Sequence, residues 1–156
     1  MRDDGRHGVL AGIRGEPARA RRARAEPAGR SGIGEGLLAT VRDDAPPRIH
    51  PVHVRIVDDR LLTFVIARSA KAGDLAVDGR YALHAHQDPA IPHEFLVRGR
   101  AVRVDDQARR AEAAAEWSFE VDDAYVLYEL GIDHAVFGER ATADDWPPIY
   151  RSWRPG

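Results

Sequence analysis

The chain of 156 residues contains no cysteine, a single methionine and a single lysine, Lys71, against 22 arginines. Without cysteine there is no disulfide framework, no thiolate catalysis and no Cys-ligated metal. That suits a reducing compartment, and a cytoplasmic location is expected. No apolar run approaches the roughly 20 residues of a spanning helix, so no membrane partner is expected. The first residues have no uninterrupted apolar core ahead of a small-residue cleavage site, so no signal peptide is expected. The P-loop and the G-x-G-x-x-G fingerprint are absent, which removes the nucleoside-triphosphate and Rossmann readings. None of the four serines sits in a G-x-S-x-G turn, and a hydrolytic triad has no support. The formal net charge of −2 gives no general reason to expect a nucleic-acid partner.

The charge is unevenly spread. Residues 1–30 hold eight arginines against four acids, whereas the remainder holds 15 Lys/Arg against 21 acids. The first segment is rich in Arg and Ala and poor in large apolar groups, so it cannot bury much surface. Residues 1–34 are expected to be an Arg/Ala-rich, disordered tail, and residues 35–156 the folded domain. A chain of this length can build one sizeable core.

From Gly36 the pattern turns to short apolar runs separated by turn residues. Strands are expected over 36–41, 49–57, 61–67, 81–86, 94–104 and 134–140. Asp58-Asp59-Arg60 reads as a tight turn, Pro51 as a strand edge or bulge, and Gly99 as a bulge or bend. The run Leu61 to Ala67 is apolar almost throughout, so both its faces should be covered. Ser69 is placed to cap a short helix over 70–77, and Asp105 or Asp106 an Ala-rich helix reaching Trp117. Residues 122–130 read as a shorter helix or irregular segment. Six short antiparallel strands with few helices predict a small, mainly β barrel.

The one lysine sits where the third strand ends, in Ala67-Arg68-Ser69-Ala70-Lys71. A strand followed by cations and a hydroxyl at a helix start can hold a phosphate. The hydroxyl donates, the cations neutralise charge and the first helical turn offers free N–H groups. A solvated surface lysine is the plainer alternative, since charged turns are usually only surface.

The order of elements resembles the pyridoxamine 5′-phosphate oxidase-like split barrels. Leu38-Ala39-Thr40-Val41 with Pro47-Arg48-Ile49-His50-Pro51-Val52 is similar to that family's opening hairpin. Leu62 to Ala67 with Ser69-Ala70-Lys71 and Leu75 resembles its phosphate-binding strand and helix start. Arg80-Tyr81-Ala82-Leu83-His84 and Val97-Arg98-Gly99-Arg100-Ala101 resemble its next two strands, so the likeness covers about residues 35–141. It implies a six-stranded antiparallel split β-barrel with short flanking helices. It also implies FMN bound between the subunits of a homodimer, with hydride transfer between a small-molecule substrate and flavin N5. Carried over, Arg48, Pro51 and Val52 would lie along the ring or ribityl chain, Val65 and Ile66 would approach it, and Ser69 and Lys71 would hold the phosphate. Ala70 stands where many relatives carry a second cation, with Arg68 nearby as a substitute. The same fold carries the deazaflavin F420, and some members bind haem. An F420-dependent reductase and a non-catalytic flavin-binding or stress-related module are therefore the alternatives. The arginine excess fits a GC-rich, actinobacterial type of genome, where F420 is common.

Two other groups of residues bear on function. His84, His86, His93 and Glu94 could approach one another, but histidine pairs on strands are more often structural, and no metal is expected. Trp146, Tyr150, Trp153 and Arg154 combine flat aromatic surface with cations near the C-terminus. They read either as closing a barrel end or subunit seam, or as the aromatic and cationic region that contacts cofactor and substrate in the oxidases.

Overall fold

The structure, a computed structural model, describes residues 34–156. The expected tail lies outside the described residues except for Gly34, which opens the first strand. The elements run β1 (Gly34–Thr40), β2 (Arg48–Val57), β3 (Arg60–Ile66), α1 (Ala70–Val77), β4 (Arg80–Ala85), β5 (Glu94–Arg103), α2 (Gln107–Ala115), β6 (Tyr125–Glu139) and β7 (Ile149–Trp153). All pairings are antiparallel, in the order β3-β2-β1-β4-β5-β6-β7, and β3 also pairs with β6. That last pairing closes six strands into a barrel and leaves β7 as an extra strand on the second half of β6.

Local chemistry explains the hairpins and caps. Asp58 and Asp59 both have positive φ, 50° and 57°. This is the backbone of a two-residue turn whose twist matches its flanking strands, and Asp tolerates it better than most residues. Ser69 caps α1 by accepting a hydrogen bond from Ala72 N (3.3 Å), and Asp106 caps α2 by accepting from Arg109 N (2.9 Å). At Gly99 the β5–β6 register slips by one residue, as a bulge there requires. A Cβ on Gly99 would overlap the Gly131 carbonyl oxygen, so only glycine allows the two strands to approach at the bulge.

Two cores follow from the strand patterns. The barrel interior is filled by alternating residues such as Leu38, Val52, Val54, Leu61, Val65, Leu83 and Val97. On the other side of β3, Leu62, Phe64, Val104, Ala113, Trp117 and Leu127 form a second core beneath α2, with Phe64 and Trp117 edge to face at 4.9 Å. The third strand is therefore covered on both faces, as its unbroken apolar run predicts.

Two expectations need correction. Residues 122–130 are not a helix, because Tyr125 to Leu130 begin β6, a 15-residue strand that pairs first with β3 and β5. Both its faces are covered there, so the period-2 signal that marks a half-exposed strand is missing. The C-terminal aromatic segment, read without secondary structure, contains β7.

Candidate functional site

The barrel splits where β2 and β3 part. β3 pairs with β2 only through Arg60, Leu61 and Leu62, opposite Val57, Ile56 and Arg55. Beyond that point Thr63 Oγ1 donates to the His53 carbonyl (2.9 Å), and the strands diverge. The first half of β2, from Arg48 to Val54, is then hydrogen-bonded to β1 alone and presents an open edge. Pro51 sits on this stretch, where its missing N–H costs least.

α1 starts beside that open edge. Lys71 Nζ donates to the Pro51 carbonyl across 3.3 Å. Burial lowers the lysine's pKa. Ser69 N–H donates to the Ile66 carbonyl (2.9 Å), which fixes the corner between β3 and α1. The Ser69 hydroxyl accepts from Ala72 N and still has its own proton to donate. Ala70 and Lys71 lie in the first turn, where N–H groups have no intrahelical acceptor.

One turn further along α1, Asp74 is buried at 1 % exposure. Its Oδ2 accepts from Thr40 Oγ1 at 2.9 Å, and Arg48 Nη1 lies 3.6 Å from its Oδ1. His50 Nε2 lies 3.2 Å from the same Thr40 oxygen. Burial is the main cause lowering the His50 pKa; Lys71 lowers it further, Asp74 opposes and Arg48 adds a smaller decrease. Arg42, at the end of β1, approaches the same helix: its Nη1 lies 3.9 Å from where a Gly73 Cβ would be. The site thus gathers Arg48, Thr40 and the imidazole of His50 around one buried carboxylate, with Lys71 and Arg42 nearby.

Of the residues singled out from sequence, Arg48, Pro51, Ser69 and Lys71 meet at this corner. Ile66 is half exposed beside it. The side chains of Val52 and Val65 are in the barrel core, 6 % and 1 % exposed, so only their backbone can face a ligand. Sequence reasoning missed Thr40, His50 and Asp74. Asp74 lies three residues beyond Lys71, the spacing that puts both on one helix face. That was the available signal, but an acid near a lysine on a helix ordinarily reads as a surface pair.

The other groups have different employment. His84 Nδ1 lies 2.6 Å from the Ala85 carbonyl oxygen, His93 Nδ1 accepts from Arg140 N–H, and His86 and His53 flank Glu35 at 3.5 and 3.9 Å. Glu94 accepts from Arg140 and from the Tyr150 hydroxyl, and the Arg140 guanidinium lies over the Trp146 ring at 5.0 Å. A shallow hollow elsewhere, lined by Val57, Arg60, Leu62, Val104 and Arg109, includes none of the candidate residues. Among the described residues no helix is long and apolar enough to cross a membrane.

At the sequence level no family model and no curated protein matches the chain. Solved structures do match. General stress protein 26 from Bacillus anthracis str. Sterne is 17% identical over 97% of this chain and 99% of that one, with a TM-score of 0.61. A putative pyridoxamine 5′-phosphate oxidase from Listeria innocua is 16% identical over 65% and 85%, with a TM-score of 0.53. A heme binding protein from Mycobacterium smegmatis is 15% identical over 99% and 59%, with a TM-score of 0.61. The chain has the split-barrel fold of the pyridoxamine 5′-phosphate oxidase-like proteins.

Proposed function

We propose that this split barrel is an FMN-dependent oxidoreductase that works as a homodimer on a small-molecule substrate. The observation that carries the reading is the corner between β3 and α1. There the one lysine, a capping serine with a spare proton and two first-turn amides sit beside the open edge of β2. A phosphate fits that donor set: Lys71 neutralises charge, Ser69 donates a hydrogen bond, and Arg48 adds a second cation. Asp74 takes up part of the Arg48 charge, so the corner remains net cationic without being strongly so. When bound, the flavin supplies the hydride chemistry, and the chain's own residues bind and orient it.

The ring needs a flat apolar surface, and the closed barrel has no room inside because its interior is filled by side chains. The outer face offers one. Pro51, Leu37, His84, Leu96 and Val136 are aligned in register across five strands. Residues paired in this way share a sheet face. Leu37 is 42 % exposed, Leu96 38 % and the neighbouring Ile49 68 %. An apolar stripe of this extent supports a second copy as its cover. A groove between two chains need not exist as a hollow in one.

The test is titration of FMN into the wild-type protein and Lys71→Ala, followed by absorbance, with F420 and haem in parallel. Saturable FMN binding weakened by the substitution supports the reading. Preference for F420 or haem at the same residues would replace the cofactor, and binding unaffected by Lys71→Ala would remove the site.

A further inference from the structure

The hydrogen bonds around Thr40 fix the protonation chemistry of His50. Asp74 is a carboxylate that can only accept, so the Thr40 hydroxyl proton points to its Oδ2. The same hydroxyl oxygen is then an acceptor toward His50 Nε2 at 3.2 Å. A neutral His50 therefore carries its proton on Nε2 and a bare lone pair on Nδ1. Asp74 is held in place by burial, and its Oδ1, with Arg48 Nη1 at 3.6 Å, has no hydrogen-bond partner among the described residues. The imidazole is flanked by Lys71 and Asp74 from α1, by Thr40 from β1 and by Arg48 from its own strand. Lys71 is bonded to the carbonyl of the next residue, Pro51.

We infer that His50 is a switchable third cation of the anion site, and that a divalent anion such as a phosphate monoester binds there with uptake of one proton at His50 Nδ1. The inference rests on the reading of Lys71 and Ser69 as the phosphate site. With that site empty, partial burial and the nearby cations Lys71 and Arg48 lower the His50 pKa, against the opposing charge of Asp74. A dianion beside Lys71, added to the charge of Asp74, outweighs the two cations, so the free Nδ1 of His50 takes a proton. The bond to Thr40 is unchanged, because Nε2 keeps its proton throughout. A monoanion, such as a phosphate esterified twice, provides half the field and recruits the proton less. The corner thereby favours a dianion, such as a terminal phosphate monoester, over a diester.

Sulfate and dimethyl phosphate are suitable probes, one a dianion and the other a monoanion, and neither titrates in the range of histidine. The His50 ring signals are followed by NMR against pH with and without each ion. Sulfate affinity is measured by titration from about pH 8 to about pH 6, in wild type, His50→Gln and Lys71→Ala. Sulfate should raise the His50 pKa, and its affinity should increase toward acid by up to about tenfold per pH unit, the limit for one linked proton. Glutamine keeps an amide donor for Thr40 but cannot gain charge, so His50→Gln should flatten that dependence. Lys71-dependent sulfate binding with no His50 shift would overturn this inference and leave the phosphate site standing. An equal shift with dimethyl phosphate would overturn the preference for a dianion. Sulfate binding that is absent, or indifferent to Lys71→Ala, would overturn the phosphate site and the inference together. If His50→Gln does not fold, the wild-type pKa shift decides alone.

Discussion

Lys71 is tied to Pro51: its ammonium donates to the carbonyl of a residue on the unpaired edge of β2, 20 positions earlier in the chain. The contact places a cation on a stretch of backbone that has a strand on one side only, and it orients the side chain before any ligand arrives. Preorganisation of this kind reduces the ordering cost of binding.

Replacing Lys71 with alanine should weaken FMN binding by about 1.5–3 kcal/mol, the usual worth of a charge-assisted hydrogen bond. Lys71→Arg should recover only part of this, because a planar fork cannot occupy the place of a compact ammonium. Fluorescence titration measures both. Equal affinity in all three proteins would exclude Lys71 from the site.

Asp74 is expected to matter for stability as well as for the site. Asp74→Ala leaves the buried Thr40 hydroxyl without its acceptor and the part-exposed Arg48 without its carboxylate. A loss of about 2–4 kcal/mol should appear as a lower urea midpoint with an unchanged slope. Thr40→Val should cost a similar amount, about 2–4 kcal/mol, because it strands the buried Asp74 carboxylate, whose other oxygen has no hydrogen-bond partner among the described residues. A neutral outcome for Asp74→Ala would mean that the buried carboxylate is no part of the scaffold.

Leu37→Asp tests assembly. Leu37 lies in the middle of the apolar stripe and is partly solvent-exposed, so the substitution leaves the barrel core intact. Sedimentation at micromolar concentration should give the wild type a mass near twice the 17.3 kDa of the chain. The variant should sediment as a monomer and lose FMN binding while retaining Lys71. A monomeric variant with full affinity would separate the cofactor site from the subunit interface.

Histidine titration should make the ligand-free protein less stable in mild acid. His50 and His134 both have folded pKa values below the ordinary 6.5, the first chiefly through burial and the second through burial with Arg154 and Arg98. The unfolded chain therefore binds more protons than the folded one as pH falls below that value, and stability declines until the folded pKa is passed. At lower pH a second loss should follow, because hydrogen bonds from Arg80 hold the Asp78 carboxyl at about 2. That stability is fully present above the ordinary carboxylate value and disappears as pH drops toward about 2. Melting temperature against pH, in the wild type and His50→Gln, separates the first decline from the second.

Much of the barrel was legible because its strands alternate and its turns carry Asp, Gly and Pro. The tight turn at Asp58, the cap at Ser69 and the bulge at Gly99 all announce themselves locally. The start of β6 did not, because strands covered on both faces lose the periodic signal and tertiary pairing then overrides local propensity. At the site, Arg48, Pro51, Ser69 and Lys71 were legible from their order along the chain. Thr40, His50 and Asp74 were not, because they come from three elements and acquire meaning only when the helix brings its carboxylate under the sheet. The buried placement of Val52 and Val65 belongs to the same class of fact, since which face a strand residue presents depends on what packs there.

The length of β6 also bears on when the fold can form. β1, β2 and β3 can pair as each is synthesised, because they are joined by short turns. The second edge of β3, however, waits for Tyr125 to Glu129, and the last third of the sheet waits for Ala135 to Glu139. The ring is therefore completed by the penultimate strand, across a long sequence separation of the sort that slows folding. While the chain is still being made, the apolar edge from Leu62 to Ile66 stands open to pairing with other chains. The nascent protein thus has an interval of self-association risk that ends only when Tyr125 to Glu129 have left the ribosome.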